Sequence, residues 1–180
     1  MIVIGIIGAK ASGKDTIAKY IAEKHSGKHH SHSEILEDLL KILVLPNSRE
    51  NAIKLVSLRD VFGENVLINA LNKKIKADDS NLEIITGIRF ENELENIRKY
   101  PNNKIIFISS EIRTRFERQH KRNEKSDDQS TSFERFIELE QAITERNISS
   151  FADRADIVIE NNGDQAELFV KVDQALQGLI

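Results

Sequence analysis

A glycine-rich stretch near the start of the chain carries residues that could bind a phosphate group. Residues 8–16 read GAKASGKDT and follow the apolar run IVIGII at 2–7. The spacing Gly8-x-x-x-x-Gly13-Lys14, between a buried strand and a helix, is typical of a phosphate-binding loop. Its backbone N–H groups and the helix N-terminus attract an anion, and the lysine reaches the β- and γ-phosphates. The predicted nucleotide-binding residues are Gly8, Ala9, Lys10, Ala11, Ser12, Gly13, Lys14, Asp15 and Thr16.

An aspartate, Asp15, occupies the position after the lysine, where serine or threonine is usual. A carboxylate is a hard oxygen ligand that suits Mg²⁺, directly or through a metal-bound water. It could instead orient an attacking group or accept its proton. A third role is that of a negative charge at a helix N-terminus. We favour a metal or acceptor role for Asp15, and Thr16 could supply the usual hydroxyl one residue later.

Alternating strands and helices are predicted to position this loop. Apolar β-branched runs predict buried strands at 2–7, 81–88 and 104–109 and a fourth strand at 155–160, and residues 27–33 are predicted to be a loop with an edge strand. Apolar periodicity predicts helices at 14–25, 34–44, 48–61, 65–76, 90–99, 111–125, from the capping box Thr131-x-x-Glu134 to about 146, and 164–178. This alternation predicts an α/β fold, a three-layer α/β/α sandwich with a mostly parallel sheet of about five strands.

Composition excludes several classes of function. The chain has 180 residues and no cysteine, which fits one domain without disulfides or Cys-ligated zinc. A formal net charge of −3 gives no overall attraction for nucleic acid or an anionic membrane. No apolar run reaches the length of about 18–20 residues that a membrane span needs, and the N-terminus is a poor signal peptide. We therefore expect a cytoplasmic protein that binds neither nucleic acid nor a membrane.

Arginines follow two of the predicted strands. Arg89 lies at the carboxyl end of the strand 81–88, where open α/β sheets bind ligands. Arg115, Arg118 and Arg122 are spaced i, i+3, i+7 and form one stripe on a helix. This stripe suits a closing lid that neutralises phosphoryl charge, although Glu117 could instead pair with it on a solvated helix face.

A group of histidines lies in the predicted edge strand. His30-x-His32 in a strand would point both rings to one side, as a metal-binding pair does. The sequence shows no third ligand, so the role of His29, His30 and His32 stays open at this point.

Four segments together resemble one family of kinases. The loop G-x-x-x-x-G-K-D-T resembles that of phage-type deoxynucleoside monophosphate kinases, and related loops occur in phosphomevalonate kinases. ITGIRFENELENIRKY (85–100) resembles that family's strand and helix, ADIVIENNGDQAEL (155–168) resembles a closing strand and turn shared with dephospho-coenzyme A kinases, and 49–75 resembles their helical substrate region. One departure is that Thr86-Gly87 stands where the family carries an acidic residue before its arginine.

The resemblance implies a nucleoside monophosphate kinase-like domain over residues 1–180, with a helical substrate-binding insertion at about 33–78 and a lid at about 111–131. It implies ATP-dependent, Mg²⁺-assisted phosphoryl transfer to a small phosphorylated acceptor, above all a (deoxy)nucleoside monophosphate, and it allows a homodimer. The implied catalytic residues are Lys14, Asp15, Arg118 and Arg122, with Asp15 at the metal. Asn162 and Gly163 would border the adenine, and the implied substrate-binding residues are Ser33, Arg49, Arg89 and Glu93.

Two alternatives stay open. One is a dephospho-coenzyme A kinase-like enzyme that phosphorylates a ribose hydroxyl, although HHSHSE (29–34) lacks the aspartate pair usual after the second strand of those enzymes. The other is a nucleotide-binding regulator or slow ATPase without kinase turnover, which the missing acid at Thr86-Gly87 favours.

Overall fold

The chain folds around a five-stranded parallel sheet, which confirms the predicted α/β class. The structure is a computed structural model that describes residues 1–122, 132–141 and 148–180, except the side chains of Arg49 and Arg122. The strands are β1 (Ile2–Gly8), β2 (Lys28–Ser31), β3 (Leu82–Thr86), β4 (Asn103–Ser109) and β5 (Ile157–Glu160), in the order β2-β3-β1-β4-β5. Because all pairs are parallel, the carboxyl ends of the strands meet at one edge of the sheet.

Helices cover both faces of the sheet. They are α1 (Lys14–His25), α2 (His32–Ile42), α3 (Arg49–Val56), α4 (Leu58–Phe62), α5 (Val66–Ala77), α6 (Glu91–Arg98), α7 (Ile112–Arg122), α8 (Phe133–Leu139) and α9 (Gln165–Leu176). A 3₁₀ helix that the sequence did not predict spans Ile148–Arg154. Within the described part of the chain, no helix is long and apolar enough to cross a membrane.

Alternate residues of the central strand supply two separate cores. Val3 and Ile7 of β1 pack on one face with residues of α2, α5, α6 and the 3₁₀ helix. Ile4 and Ile6 pack on the other face with α1 and α9. All four side chains are at most 1% exposed, as expected for a strand buried on both faces. The result is the predicted three-layer sandwich, which holds the turn after β1 at the edge of the sheet.

Two predicted helices differ from those observed. The predicted helix 48–61 is two helices, α3 and α4, divided at Ser57. The Ser57 hydroxyl donates a 2.6 Å hydrogen bond to the Lys54 carbonyl, a side-chain bond that competes with helix continuation. Ser132 caps α8 by accepting from Arg135 N at 3.2 Å, whereas the predicted cap Thr131 and the predicted ends at 125 and 146 lie outside the described residues.

Candidate nucleotide-binding site

The loop between β1 and α1 has the backbone shape of an anion site. Ala11 and Gly13 adopt left-handed conformations, with φ angles of 59° and 101°. Gly13 is the N-cap of α1 and offers no side-chain acceptor to the first N–H groups of the helix, which an anion can therefore accept from. Such alternation of backbone conformation forms the nests that bind phosphate.

The interior of this loop is small and polar, which fits a phosphate group. The Ser12 side chain is buried, and its Oγ has no hydrogen-bond partner among the described residues. A Cβ added at Gly8 would lie 2.5 Å from Ser12 Oγ, and one added at Gly13 would lie 2.4 Å from Asn161 Nδ2. Both glycines are therefore required by close approach, and the orphaned Ser12 hydroxyl is a donor that a phosphate oxygen would satisfy.

Lys14 and Asp15 place opposite charges side by side at the start of α1. The Lys14 Nζ lies 3.2 Å from Asp15 Oδ2, and the lysine side chain is only 10% exposed. Burial acts to raise the pKa of Asp15, but the Lys14 ammonium and a hydrogen bond with Thr86 outweigh it and hold this pKa below its usual value. Asp15 is therefore a carboxylate at neutral pH, which suits a metal ligand better than a general base.

Thr86, at the carboxyl end of β3, connects Asp15 to the edge strand. Its Oγ1 lies 2.9 Å from His29 Nε2 and also hydrogen-bonds with Asp15. Burial lowers the pKa of His29, although Asp15 and Glu34 oppose this effect, so its imidazole is neutral at pH 7. A neutral imidazole can donate to the Thr86 oxygen while the Thr86 hydroxyl donates to the carboxylate. Neither Thr86 nor His29 was among the site residues predicted from the sequence.

Gly87 explains why the acidic residue of the resembling family is missing. Its φ angle is 80°, in the left-handed region. A Cβ at this position would lie 3.0 Å from Ser31 Oγ and 3.2 Å from His32 N. The turn after β3 is therefore adapted to glycine, and an aspartate side chain would meet the start of α2.

The Arg89 side chain reaches the start of the phosphate loop at the carboxyl end of the sheet. Its Nη1 lies 3.4 Å from the Gly8 carbonyl oxygen, and its backbone N–H donates to Glu93 Oε2 at 2.7 Å. Glu93 is buried and also accepts from the Phe90 N–H at 3.1 Å, so its carboxylate caps the start of α6. Arg59 of α4 reaches the same carboxylate at 3.4 Å and lies over the Phe90 ring, 3.6 Å from its centroid. Glu93 thus accepts a hydrogen bond from the Arg89 backbone and pairs with the Arg59 guanidinium.

The other residues predicted to bind the phosphoryl-accepting substrate lie in the first turns of the two helices that follow β2. Ser33 is exposed in the first turn of α2, and its Oγ lies 2.8 Å from the Oγ of Ser31, which caps that helix. Arg49 begins α3, and its side chain lies outside the described atoms. Thr16, predicted to contact the nucleotide, is exposed in the first turn of α1.

His30 and His32 do not form the pair that a continuous strand would have produced. β2 ends at Ser31, so His32 belongs to α2. His30 Nε2 lies 2.8 Å from Glu83 Oε2, whereas His32 Nδ1 lies 3.6 Å from Glu93 Oε1. The two rings therefore contact different carboxylates, and the possibility of a metal site formed by this histidine pair is not supported.

Two arginines of the predicted lid donate hydrogen bonds to the loops that follow β1 and β5. Arg115 is buried, and its Nη1 donates to the Lys10 carbonyl at 3.3 Å while its Nη2 contacts Glu140 at 2.7 Å. Arg118 donates to the carbonyl oxygens of Asn161 at 2.9 Å and Gly163 at 2.8 Å. The Arg122 side chain lies outside the described atoms.

The loop after β5 lies against the phosphate loop. Asn161 is buried, and its Nδ2 donates to the Ser12 carbonyl at 2.7 Å. Asn162 accepts from the Glu111 N–H at 2.8 Å through its Oδ1, which ties the start of α7 to the same loop. The sequence pattern predicted Asn162 and Gly163 as site residues but not Asn161, although its position directly after a strand was a usable signal.

Comparison with solved structures supports the fold. A shikimate kinase from Bacteroides thetaiotaomicron superposes with a TM-score of 0.68 at 15% identity, covering 98% of this chain and 97% of that chain. A gluconokinase from Sinorhizobium meliloti gives 0.60 at 14% identity, with coverages of 99% and 91%. The chain therefore has the fold of the P-loop kinases.

Comparison of sequences identifies the family. No family model matches the chain. A UPF0200 protein of Methanocaldococcus jannaschii is 30% identical over 183 residues, which cover all of this chain and 91% of the relative. The name of this relative states no activity. The chain belongs to the UPF0200 protein family.

Proposed function

We propose that this protein is an ATP-dependent, Mg²⁺-assisted kinase of a small phosphorylated acceptor, with (deoxy)nucleoside monophosphates as the first class to test. The observation that carries the proposal is the position of Asp15. Its carboxylate contacts Lys14 of the phosphate loop and Thr86 at the end of β3, so it lies between the donor loop and the neighbouring strand ends. In open α/β sheets this edge is where ligands bind.

The donor half of the proposal rests on the loop from Gly8 to Thr16. Its left-handed residues and the N-terminus of α1 favour an anion, and the Ser12 hydroxyl needs a partner. Lys14 would hold the outer phosphates, and Asp15 would hold the metal, directly or through water. A bound Mg²⁺ would neutralise charge on the phosphates during transfer. The Asn161–Gly163 loop, held by Arg118, would border the adenine.

The acceptor half rests on cations around the strand ends. Arg89 reaches Gly8, and Arg59 lies over Phe90 at the start of α6. Guanidinium groups suit phosphate oxygens, so a phosphorylated acceptor fits this side better than a neutral one. Within this proposal, residues 33–78 carry the acceptor-binding helices, with Ser33 and Arg49 in contact, and residues 111–131 form a lid. Glu93 would act through the arginines.

Transfer would require neutralisation of the moving phosphoryl group. Arg115 and Arg118 are bound to carbonyl oxygens of the two nucleotide loops. We therefore assign the direct contact with the transferring group to Arg122, one helical turn after Arg118, and a supporting role to Arg118. Exclusion of water by the lid would favour transfer to the acceptor over hydrolysis.

The test is a screen of acceptors with γ-labelled ATP and Mg²⁺. Nucleoside and deoxynucleoside monophosphates, dephospho-coenzyme A and small sugar or shikimate-like alcohols would be compared for label transfer. Lys14→Ala should abolish transfer while the protein still folds, because this side chain is not part of the apolar core; a modest fall in melting temperature is expected, since Asp15 loses its paired cation. Lys19→Ala, an exposed lysine of the same helix, is the matched control and should behave as wild type. Wild-type turnover in Lys14→Ala would refute the donor site.

A second candidate, a nucleotide-binding regulator or slow ATPase, is favoured by one observation. The turn after β3 offers Thr86 and Gly87 in place of a carboxylate, and a side chain at position 87 would crowd Ser31 and His32. If every acceptor fails while phosphate is released slowly from ATP in a Lys14-dependent manner, this second function replaces the first.

A further inference from the structure

A second group of metal-ligating side chains lies outside the nucleotide site, beneath the end of α5. It contains His30 of the edge strand β2, Glu83 of β3 and Asp78, the C-cap residue that follows α5. His30 Nε2 lies 2.8 Å from Glu83 Oε2 and 3.2 Å from Asp78 Oδ2. One ligand atom from each residue lies within 4.8 Å of the other two. Glu83 is three residues before Thr86, away from the carboxyl end of β3.

This group buries a carboxylate that the described residues only partly satisfy with hydrogen bonds. Glu83 is completely buried, and His30 is 5% exposed. Two carboxylates face a single imidazole, and Glu83 Oε1 has no hydrogen-bond partner among the described residues. A buried carboxylate with an unpartnered oxygen is costly unless a cation or a proton joins it. The group therefore offers a cation two carboxylates and one carboxylate oxygen that needs a partner.

We propose that His30, Asp78 and Glu83 bind a divalent transition-metal ion, with Zn²⁺ as the best fit. One imidazole nitrogen and two carboxylate oxygens are a ligand set that suits Zn²⁺, whereas Mg²⁺ prefers oxygen alone. With metal–ligand bonds of about 2.0–2.2 Å, tetrahedral ligand atoms lie roughly 3.4 Å apart. The observed separations would open by about 0.2–0.6 Å on binding, and Asp78 can move because its side chain is 36% exposed. The same exposure leaves a fourth position for water.

The ion would act as a structural link. Among the described strands, β2 lies at one side of the sheet and pairs with β3, and its residues His29 and Ser31 lie next to the proposed acceptor side. A metal held by His30, Glu83 and Asp78 would join this edge strand to β3 and to the end of α5. Because such an ion binds the folded chain, its addition should raise the melting temperature.

Isothermal titration of the chelator-treated, nucleotide-free protein with ZnCl₂ tests the proposal. We expect one site with a dissociation constant in the micromolar range or below, an increased melting temperature, and no comparable response to MgCl₂. Asp78→Asn, at an exposed position that should preserve folding, is expected to weaken Zn²⁺ binding by about tenfold or more. The matched control is Asp79→Asn, an adjacent exposed carboxylate outside the group, which should bind as wild type.

Two further variants locate the ion. Asp15→Asn should leave the Zn²⁺ affinity unchanged, because this residue belongs to the nucleotide site. His30→Gln should remove the absorption bands that bound Co²⁺ gives in the wild-type protein, and its melting temperature shows whether it folds. Absence of Zn²⁺ binding in the wild-type protein, or equal affinity in wild type and Asp78→Asn, would overturn the proposal. In the first case the buried group is an ion pair completed by a proton.

Discussion

Asn161 and Ser12 are 149 residues apart in the chain, and the Asn161 side chain donates a 2.7 Å hydrogen bond to the Ser12 carbonyl. The bond is buried, and it joins the loop after β5 to the phosphate loop after β1. Arg118 holds the other side of Asn161 through its carbonyl oxygen and its Oδ1, at 2.9 and 3.1 Å. The two proposed nucleotide-binding loops are therefore connected directly to each other by hydrogen bonds.

Arg118→Ala should release the Asn161–Gly163 loop. We expect the KM for ATP to rise by about tenfold, equivalent to about 1.4 kcal/mol, with kcat changed much less.

Arg122→Ala should instead lower kcat by up to about 10³-fold, as for an arginine that neutralises the transferring group. Steady-state kinetics of both variants measure this difference, with the exposed Lys121→Ala as control. A loss in kcat without a change in KM for Arg118→Ala would place that arginine at the phosphoryl group.

Asp15→Asn should change the requirement for Mg²⁺. The amide keeps an oxygen but loses the charge that attracts a hard dication, so the Mg²⁺ concentration for half-maximal rate should rise about tenfold or more. Nucleotide binding without metal should be nearly unchanged. The measurement is a titration of rate against Mg²⁺, with Glu23→Gln, an exposed acid of the same helix, as control.

The same titration distinguishes the other roles of Asp15. A lower kcat at saturating Mg²⁺ with an unchanged midpoint would assign it to the acceptor. Identical curves with a loss of stability of up to about 1 kcal/mol would leave it only a charge at the helix N-terminus.

Gly87→Asp restores an acid at the family position and should destabilise the protein. The new side chain would crowd Ser31 and His32, and the left-handed φ angle adds strain, so we expect a loss of about 1–3 kcal/mol in unfolding free energy. Gly178→Asp is the matched control, because its φ angle of 79° is nearly the same and nothing lies near its Cβ position. Urea unfolding of both variants isolates the crowding. Equal stabilities would contradict the packing argument.

Asp156 should make stability depend on pH. Its Oδ2 accepts from Ile105 N and Arg98 Nη1, both at 2.7 Å. Burial acts to raise the pKa of Asp156, but these two donors outweigh it and lower the folded-state pKa. Since the folded pKa lies below the unfolded value of about 3.9, the ionised side chain stabilises the fold above that pH, and this contribution is lost as pH falls through the folded pKa.

Asp156→Asn should therefore lower the unfolding free energy by about 1–2 kcal/mol at pH 7. The difference from wild type should shrink as the pH falls below about 4, where the wild-type carboxylate takes up a proton. Urea unfolding at several pH values measures it, with the exposed Asp153→Asn as control. A difference that is constant from pH 7 to pH 3 would show that charge is not the cause.

The sequence by itself determined the succession of strands and helices along the chain and the position of the phosphate loop. These features are local: β1, the turn and α1 are contiguous, and their glycines, lysine and apolar spacing lie within 25 residues. Hydrophobic periodicity likewise reports which face of each element is buried, so the three-layer class followed from it. The break at Ser57 was missed because apolar periodicity carries no information about a side-chain hydrogen bond such as that from the Ser57 hydroxyl to the Lys54 carbonyl.

The tertiary structure decided which distant residues share the site. Thr86 meets His29 because β2 pairs with β3 in register, with Ser31 opposite Thr86. Asn161 meets Ser12 because β5 and β1 both flank β4 and end at the same edge. Strand order and register depend on the packing of the whole sheet, and the periodicity of one strand does not contain them. His30 and His32, two residues apart in the sequence, contact different carboxylates because β2 ends at Ser31 and His32 begins α2.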